Sequence, residues 1–246
     1  FAKALEFVLL LFYYIITNTK FQDKRGIFMD ISKRHLTLLC DFYQLTMANG
    51  YFENGMGDRE AVFDMFFRRN PFSGGFAVFA GLETLLDALT QFTFSESDIE
   101  YLKSVGIFEQ GFLDYLKDFK FTGDVYAQDE GSIVFPNEPL IRIHANLIEA
   151  QIIEGLVLNH INFQTLIATK STRVWLASQK GSIMEFGLRR AQGPNGAMMA
   201  SRAAFIGLAG GTSNTLAGKE FGIPVLGTMA HSWIMSFPTE LEAFEA

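Results

Sequence analysis

The sequence predicts an α/β fold in which a small sheet with helices comes first and a parallel α/β arrangement follows. The chain has 246 residues, of which 49% are hydrophobic, so it can bury a large core. Between residues 61 and 145, short aromatic and β-branched runs alternate with capped helical stretches. From residue 146 onward the pattern changes to helix, strand, helix, strand with short links, which is typical of a parallel sheet.

In the first half, apolar periodicity and turn residues predict short helices and strands. Residues 95–106 form the clearest helix, because the stretch begins with Ser95 and acidic residues and ends at Gly106. The sequence DEG at 129–131 predicts a turn, as does the pair Pro136 and Asn137. The other predicted elements are helices at 36–50 (ending at Gly50), 82–92 and 111–119, and strands at 61–69, 74–81 and within 123–147.

The second half begins with the longest helix. Apolar residues recur on one stripe through 146–178, with residues 159–162 as the candidate position of a break. His160 lies within this helix and is predicted to be structural. The elements predicted after it are a strand at 182–190, a small-residue helix at 196–210, a short helix within 211–222 capped by Thr212, Ser213 or Asn214, and a strand from 223 that leads into a loop.

Charge and cysteine content exclude several classes of function. The formal net charge is −7, which argues against a general nucleic-acid binder, because such a protein must neutralise many phosphates. Any bound anion must therefore be held by a few well-placed cations. Cys40 is the single cysteine, which excludes an internal disulfide framework and a cysteine-rich zinc site. No other metal site is predicted, and a reducing, cytoplasmic setting is the simplest interpretation.

The two ends of the chain are unusual. The apolar run FVLLLFYYIIT at 7–17 is shorter than the ~20 residues that a transmembrane helix needs, and no small-residue cleavage site follows it. We therefore predict that residues 1–28 are not part of the fold and that the protein starts at Met29, with a membrane anchor or signal, or a genuine helix, as the alternatives. The last residues, TELEAFEA, begin like a helix and stop within two turns, so the chain is expected to be incomplete.

The stretch EFGLRR at 185–190 places charge at the end of a predicted strand. Strict alternation would put Glu185, Gly187 and Arg189 on one face of that strand and Phe186 on the other. The planar fork of Arg189 suits a carboxylate or phosphate, and Gly187 leaves room for a ligand to approach the backbone. The alternative is that Arg189 only forms an ion pair with Glu185.

Three further features have both a functional and a structural interpretation. His231, in VLGTMAHSW, follows a predicted strand end at Thr228 and could transfer protons or act as a nucleophile, or be a hydrogen-bonded structural histidine. The glycine-rich stretch GLAGGTSNTLAG could bind an anion at a helix N-terminus or simply cap that helix. Tyr43 could offer a stacking surface or belong to the core.

Four motifs, DFYQLTMANGY, INFQTLIATKSTR, EFGLRRAQGPNG and GTSNTLAGKEFGIPVLGTMAHSW, resemble in this order those of the nicotinate phosphoribosyltransferase family. The resemblance runs from about Met29 to the last residue. It implies transfer of the phosphoribosyl group of PRPP, which normally arrives with Mg²⁺, to nicotinate in NAD salvage. It also implies coupling to ATP hydrolysis through transient phosphorylation of a histidine.

The resemblance assigns roles to particular residues. His231 would be the phosphorylated histidine, and Thr228 would contact nicotinate. Tyr43 would stack on the pyridine ring across a homodimer interface, with Phe186 as its counterpart, and Arg189 would hold the anionic substrate. Because alternation puts Phe186 and Arg189 on opposite faces, a twist near Gly187 is needed to bring both into one pocket.

The family fold, of the type II phosphoribosyltransferase kind, pairs an open-faced α+β sandwich with an irregular α/β barrel. Transferred to this sequence, it implies an extension at 1–28, a helical segment at 29–60, a sandwich at 61–145 and the first part of the barrel at 146–246. Family members are longer, so this chain is expected to be an amino-terminal portion. Two alternatives stay open: an inactive fragment that only dimerises or binds nicotinate, and a related enzyme for quinolinate or nicotinamide. No nucleic acid or membrane partner is expected.

Overall fold

A computed structural model describes residues 36–246 of the chain. The predictions about the extension at 1–28 and the start at Met29 lie outside the described residues. Within 36–246, the helices are α1 Phe42–Glu53, α2 Leu82–Thr90, α3 Glu96–Val105, α4 Gln110–Lys117, α5 Leu147–Ala177, α6 Gly193–Ile206, α7 Thr215–Phe221, α8 His231–Met235 and α9 Glu240–Glu245. The strands are β1 Glu60–Met65, β2 Ala77–Val78, β3 Asp124–Ala127, β4 Ile133–Val134, β5 Ile141–Asn146, β6 Met184–Glu185 and β7 Gly211–Thr212, and 3₁₀ turns lie at Pro71–Ser73 and Leu188–Arg190.

An antiparallel sheet of order β1-β5-β3 forms the first layer. Strand β5 alternates strictly: Ile141, Ile143 and Ala145 are buried, while Arg142 and His144 are exposed on the other face. The buried face packs in one core with the apolar faces of α2, α3 and α4. One face is covered by helices and the other is open, so the predicted open-faced sandwich is observed.

Helix α5 is the central element of the molecule, and it is continuous. Asn146 caps its first turn, since its side-chain Oδ1 accepts a hydrogen bond from the Glu149 N–H at 2.9 Å. The predicted break at 159–162 is wrong: the helix continues through these residues, and the side chains of Asn159 and Asn162 are exposed. His160 Nδ1–H donates to the Leu156 carbonyl at 2.9 Å, and burial lowers its pKa, as fits the predicted structural role.

The small sheet β2-β4 is attached directly to α5. The Val78 N–H donates to Thr169 Oγ1 at 2.8 Å, and Thr165 Oγ1 donates to the Ala80 carbonyl at 3.2 Å. The chain then turns into α2 through Gly81, whose φ is +110° and where a Cβ would lie 2.7 Å from the His160 carbonyl oxygen. Only glycine satisfies both constraints, so the sandwich is held at a close distance from α5.

The parallel part of the fold begins at β6, which pairs with β7, and Val225 adds one parallel bridge to Thr212. The strand predicted from 223 is thus reduced to a single bridge. Helix α6 packs on α5 through small residues, and a Cβ at Gly207 would collide with the Ala168 carbonyl. The small-residue helix predicted at 196–210 is confirmed, and its composition is explained by this close packing.

Side-chain hydrogen bonds mark one end of each of two helices, α1 and α7. Helix α1 begins at Phe42, later than predicted, and runs through Gly50; it ends where Asn54 Nδ2–H donates to the Gly50 carbonyl at 2.8 Å. The helix was predicted to end at Gly50 because glycine has a low helix propensity. The observed helix ends just before Asn54, four residues after this glycine, where the side chain of Asn54 satisfies a carbonyl of the last turn. Among the three predicted caps of α7, Asn214 is the residue observed, with Oδ1 accepting from the Ala217 N–H at 3.3 Å.

Candidate active site

Strand β6 ends sooner than the sequence predicts. The chain is extended only at Met184–Glu185; Gly187 then adopts a helical backbone conformation (φ −84°, ψ −10°) and Leu188–Arg190 forms a 3₁₀ turn. The prediction that Arg189 shares a strand face with Glu185 and lies opposite Phe186 is therefore wrong, because two-residue alternation holds only while the backbone stays extended. The turn brings Phe186 and Arg189 to the same side.

A groove of about 480 Å³ lies at this end of the parallel strands. Phe186 and Arg189 line one side, and Thr228 lines it from the segment after Val225. Three of the five predicted site residues are thus brought together. The other lining residues, none of them a predicted site residue, are Leu188, Ser213, Thr215, Val225, Leu226 and Gly227.

Arg189 is available to a ligand in this groove. Its side chain is exposed, and it makes no hydrogen bond or ion pair with any residue of 36–246. None of the described lining residues is acidic. The guanidinium is therefore an unneutralised cation beside the aromatic ring of Phe186, an arrangement suited to a flat anion.

Glu185 does not pair with Arg189, so the structural alternative considered for that arginine is wrong. One carboxylate oxygen, Oε1, accepts from the Gly187 N–H. The other, Oε2, accepts from Thr212 Oγ1 at 2.6 Å and from Ser201 Oγ at 3.0 Å. These bonds join β6 to β7 and α6 beneath the groove.

His231 is the first residue of helix α8, not part of a loop as predicted. It is exposed, and it lies three residues beyond Thr228 without itself lining the groove. Trp233, in the same helix, donates from Nε1 to the Ala243 carbonyl at 2.9 Å and so ties α8 to α9. The histidine ring is thus accessible on an element whose orientation is fixed by its neighbour.

Tyr43 lies on α1 and does not line the groove of its own chain. Its side chain is 47% exposed, and its hydroxyl donates to Glu154 Oε1 on α5 at 3.0 Å. This hydrogen bond is the main reason that the pKa of Tyr43 is raised above its ordinary value. The same carboxylate accepts from Gln151 Nε2 at 2.7 Å, so the ring has a defined direction.

An ion cluster centred on α6 was not predicted from the sequence. Arg202, whose side chain is 8% exposed, forms a two-pronged pair with Glu130: Nη2 lies 2.6 Å from Oε2 and Nη1 lies 2.9 Å from Oε1. It also pairs with Glu83 and contacts Gln164. An arginine in the otherwise apolar run MMASRAAFI was the available signal, because a buried cation requires buried acceptors.

Residues 36–246 hold no group of three or more His, Cys, Asp or Glu side chains arranged to bind a metal ion. None of the helices in this part of the chain has the length and hydropathy needed to cross a membrane.

Comparison with known proteins identifies the class. The fold matches a solved nicotinate-nucleotide pyrophosphorylase from Pyrococcus furiosus with a TM-score of 0.72 over 90% of this chain and 49% of that one, at 22% identity. It matches human nicotinic acid phosphoribosyltransferase with a TM-score of 0.75 and 39% identity over 80% of this chain and 40% of that one. The chain therefore has the type II phosphoribosyltransferase fold, as predicted.

The family follows from sequence. The model of the nicotinate phosphoribosyltransferase N-terminal domain matches residues 38–162, and the nicotinate phosphoribosyltransferase family model matches residues 182–244. The Caenorhabditis elegans nicotinate phosphoribosyltransferase is 49% identical over 211 residues, which are 83% of this chain and 38% of that protein. This chain belongs to the nicotinate phosphoribosyltransferase family, so the resemblance read from four motifs is confirmed. It spans less than half the length of the curated relatives it matches.

Proposed function

We propose that the protein transfers the phosphoribosyl group of PRPP to nicotinate, giving nicotinate mononucleotide and pyrophosphate in NAD salvage. The pyridine nitrogen forms a bond to ribose C1 while the bond from C1 to the pyrophosphate oxygen breaks. The electron pair of the broken bond leaves with pyrophosphate. The observation that carries the proposal is the meeting of Phe186, Arg189 and Thr228 around one groove. Family membership supports it.

The groove residues have complementary roles in this proposal. Nicotinate is flat and anionic, so Phe186 would stack on its ring and Arg189 would hold its carboxylate through charge-assisted hydrogen bonds. Thr228 would donate its hydroxyl to the same ligand. Binding holds the pyridine nitrogen in a fixed orientation. The entropic cost of bringing it to ribose C1 is therefore incurred on binding and does not add to the barrier of the transfer step.

PRPP and its metal ion place a different demand on the site. Departure of pyrophosphate develops positive charge on the ribose ring, which fixed dipoles and charges must accommodate. The described groove lining has no carboxylate, so it does not fit a protein-held Mg²⁺ ion. We propose that Mg²⁺ enters as part of the PRPP complex, coordinated by the pyrophosphate oxygens.

ATP would be the energy source, through transient phosphorylation of His231. The exposure of this ring and its position three residues beyond Thr228 support that role. Phosphorylation would place negative charge close to the groove, where it could order cationic groups before transfer.

His231→Asn is expected to abolish stimulation by ATP while some PRPP-driven synthesis remains, because asparagine cannot accept the phosphoryl group. Product formation is measured with and without ATP, and acid-labile phosphate on the protein is measured after incubation with ATP. His144→Asn, at an exposed position on the open face of the sheet, is the control and should behave as wild type. Unchanged ATP stimulation or unchanged labelling in His231→Asn would contradict the phosphohistidine role.

We further propose that the active unit is a cytoplasmic homodimer in which Tyr43 faces the partner's groove. Large apolar side chains beside it on and before α1 are exposed: Leu39 at 50%, Phe42 at 52% and Met47 at 41%. Such a surface favours association. Light scattering of the wild type and of Phe42→Glu tests it: a dimer that becomes a monomer supports the proposal, and a monomeric wild type contradicts it.

The decisive test uses the purified 246-residue chain. Titration calorimetry measures binding of nicotinate, nicotinamide and quinolinate, and chromatography measures nicotinate mononucleotide formed with PRPP, ATP and Mg²⁺. Preferential nicotinate binding with turnover supports the proposal. Binding without turnover supports the alternative of a nicotinate-binding portion, which the partial coverage of the relatives favours. A folded chain that binds none of the three ligands would contradict both.

A further inference from the structure

The carboxylate of Glu185 bends back onto its own chain. Its Oε1 accepts from the N–H of Gly187, two residues later, and this contact coincides with the point where strand β6 stops. A Cβ at Gly187 would lie 2.7 Å from that oxygen, although φ there is −84°, a value open to any residue. A side chain at position 187 would therefore meet the carboxylate and not a backbone conflict, so Glu185 would have to shift to admit it.

The second oxygen of Glu185 is anchored on the buried side. Thr212 and Ser201, which donate to Oε2, are 0% and 1% exposed. Thr212 is itself held, since its Oγ1 accepts from the Asn214 N–H at 3.0 Å. The backbone adds a further link, because the Ser213 N–H donates to the Glu185 carbonyl at 2.9 Å. One side chain thus connects the turn at the groove to β7 and α6.

All three partners of this carboxylate are neutral donors. Glu185 lies four residues before Arg189, the groove's cation, yet its two oxygens accept three hydrogen bonds from other groups and none from the guanidinium. Arg189 has no acidic partner within 36–246. The carboxylate thus contacts the turn, and the cation stays available to an anionic ligand.

We propose that Glu185 is a positioning residue for nicotinate binding: its carboxylate sets the turn that carries Phe186 and Arg189 into the groove. It acts through these two side chains and does not touch the substrate. This inference rests on the proposed function for its ligand, but the geometry of the turn can be tested without any ligand.

The first test compares Glu185→Gln with wild type in the 246-residue chain. Glutamine keeps the size but has one acceptor oxygen. If that oxygen stays on the Gly187 N–H, the two hydroxyls must turn from donating to accepting from the new NH₂, and if it faces the hydroxyls, the NH₂ meets the Gly187 N–H, which is also a donor. We expect the nicotinate dissociation constant to rise about 10-fold, since small displacements of binding groups are costly. Exchange of the Gly187 amide hydrogen, measured by NMR, should accelerate while that of Ala203, buried in α6, stays unchanged. Glu220→Gln, an exposed carboxylate on α7, is the matched control.

The second test uses the glycine, in case Glu185→Gln fails to fold. Gly187→Ala should weaken nicotinate binding through its contact with the carboxylate, and Glu185→Ala should weaken it by losing the anchor. If the carboxylate is the cause, adding Gly187→Ala to Glu185→Ala produces no further loss, whereas independent effects multiply.

The outcomes separate the two proposals. If the wild-type chain does not bind nicotinate but the Gly187 amide still exchanges faster in Glu185→Gln, the positioning role of Glu185 is supported and the proposed ligand is contradicted. Nicotinate affinity within about twofold of wild type in Glu185→Gln, together with unchanged exchange at Gly187, would overturn the inference. Independent effects of the two alanine substitutions would overturn it as well.

Discussion

Arg189→Leu is expected to weaken nicotinate binding about 30- to 100-fold, which corresponds to roughly 2–3 kcal/mol. Leucine keeps an apolar stem beside Phe186 but removes the only charged group lining the groove in the described part of the chain. Arg189→Lys should retain part of the affinity, because an ammonium attracts the carboxylate without the planar fork. Titration calorimetry of each variant with nicotinate measures the change.

Two controls make this experiment specific to charge. Arg190→Leu removes the neighbouring cation, which is exposed and does not line the groove, and it should alter nicotinate affinity less than about threefold. Nicotinamide has the same ring without the carboxylate, so its weaker binding should hardly change in Arg189→Leu. An equal loss for both ligands would mean that Arg189 supports the fold of the groove and does not recognise the anion.

Local sequence signals predicted much of the architecture correctly. Helix α3 was recognised from both ends, because Ser95 caps its first turn and Gly106 adopts a left-handed conformation at φ +79°. The small sheet with helices was recognised from short β-like runs and turn residues between 61 and 145. These features depend on interactions within a few residues, which a sequence pattern records directly. The open-faced arrangement of that sheet was implied by the family resemblance.

The candidate site was only partly predictable. Family motifs nominated Phe186, Arg189 and Thr228, which do line one groove, whereas Tyr43 and His231 do not line it within this chain. Periodicity failed at the turn itself, since the bond from the Gly187 N–H to Glu185 ends the strand and no alternation rule includes it. Whether Tyr43 and His231 join the site depends on a second copy of the chain and on phosphorylation, so their roles stay predictions.

Contacts between distant parts of the chain were beyond the reach of pattern analysis. Glu130 was predicted to lie in a turn because DEG is a turn sequence, and it does lie in a turn. Yet its side chain is 18% exposed and pairs with Arg202, 72 residues away. No local property of either residue specifies the other, so only the packing of α6 against the sandwich reveals the pair.

The electrostatics of that pair favour the ionised form of Glu130. Burial alone would raise its pKa, but hydrogen bonds from Arg202 and from the Gly81 and Leu82 N–H groups outweigh burial, and the pKa lies below its ordinary value of 4.5. A carboxyl whose pKa is lowered by folding contributes stability above its unfolded pKa. That stability is lost as pH falls through the folded pKa. The wild-type chain should therefore lose part of its stability below about pH 4.5 from this group.

Arg202→Met is expected to lower the free energy of unfolding by about 3–5 kcal/mol at pH 7, because it leaves Glu130 buried without its cation. Methionine fills similar space, so the loss of stability reflects the missing charge more than a change in side-chain volume. Without the arginine, burial raises the pKa of Glu130, and protonation relieves the variant as pH falls. The difference between variant and wild type should thus shrink between pH 7 and pH 4, as measured by urea unfolding.

A double variant separates the buried charge from the packing around it. Adding Glu130→Gln to Arg202→Met removes the unpaired carboxylate while the Gly81 and Leu82 N–H groups keep an amide acceptor. It should recover more than half of the lost stability, since replacing both partners of a buried pair is far less costly than removing one. Lys219→Met, on the exposed surface of α7, is the control and should change stability by less than about 0.5 kcal/mol. The loss of stability in Arg202→Met could instead be independent of pH and not relieved by Glu130→Gln. That result would attribute the effect to the packing of α6 on α5, and the ion pair would then not be what joins α6 to the sandwich.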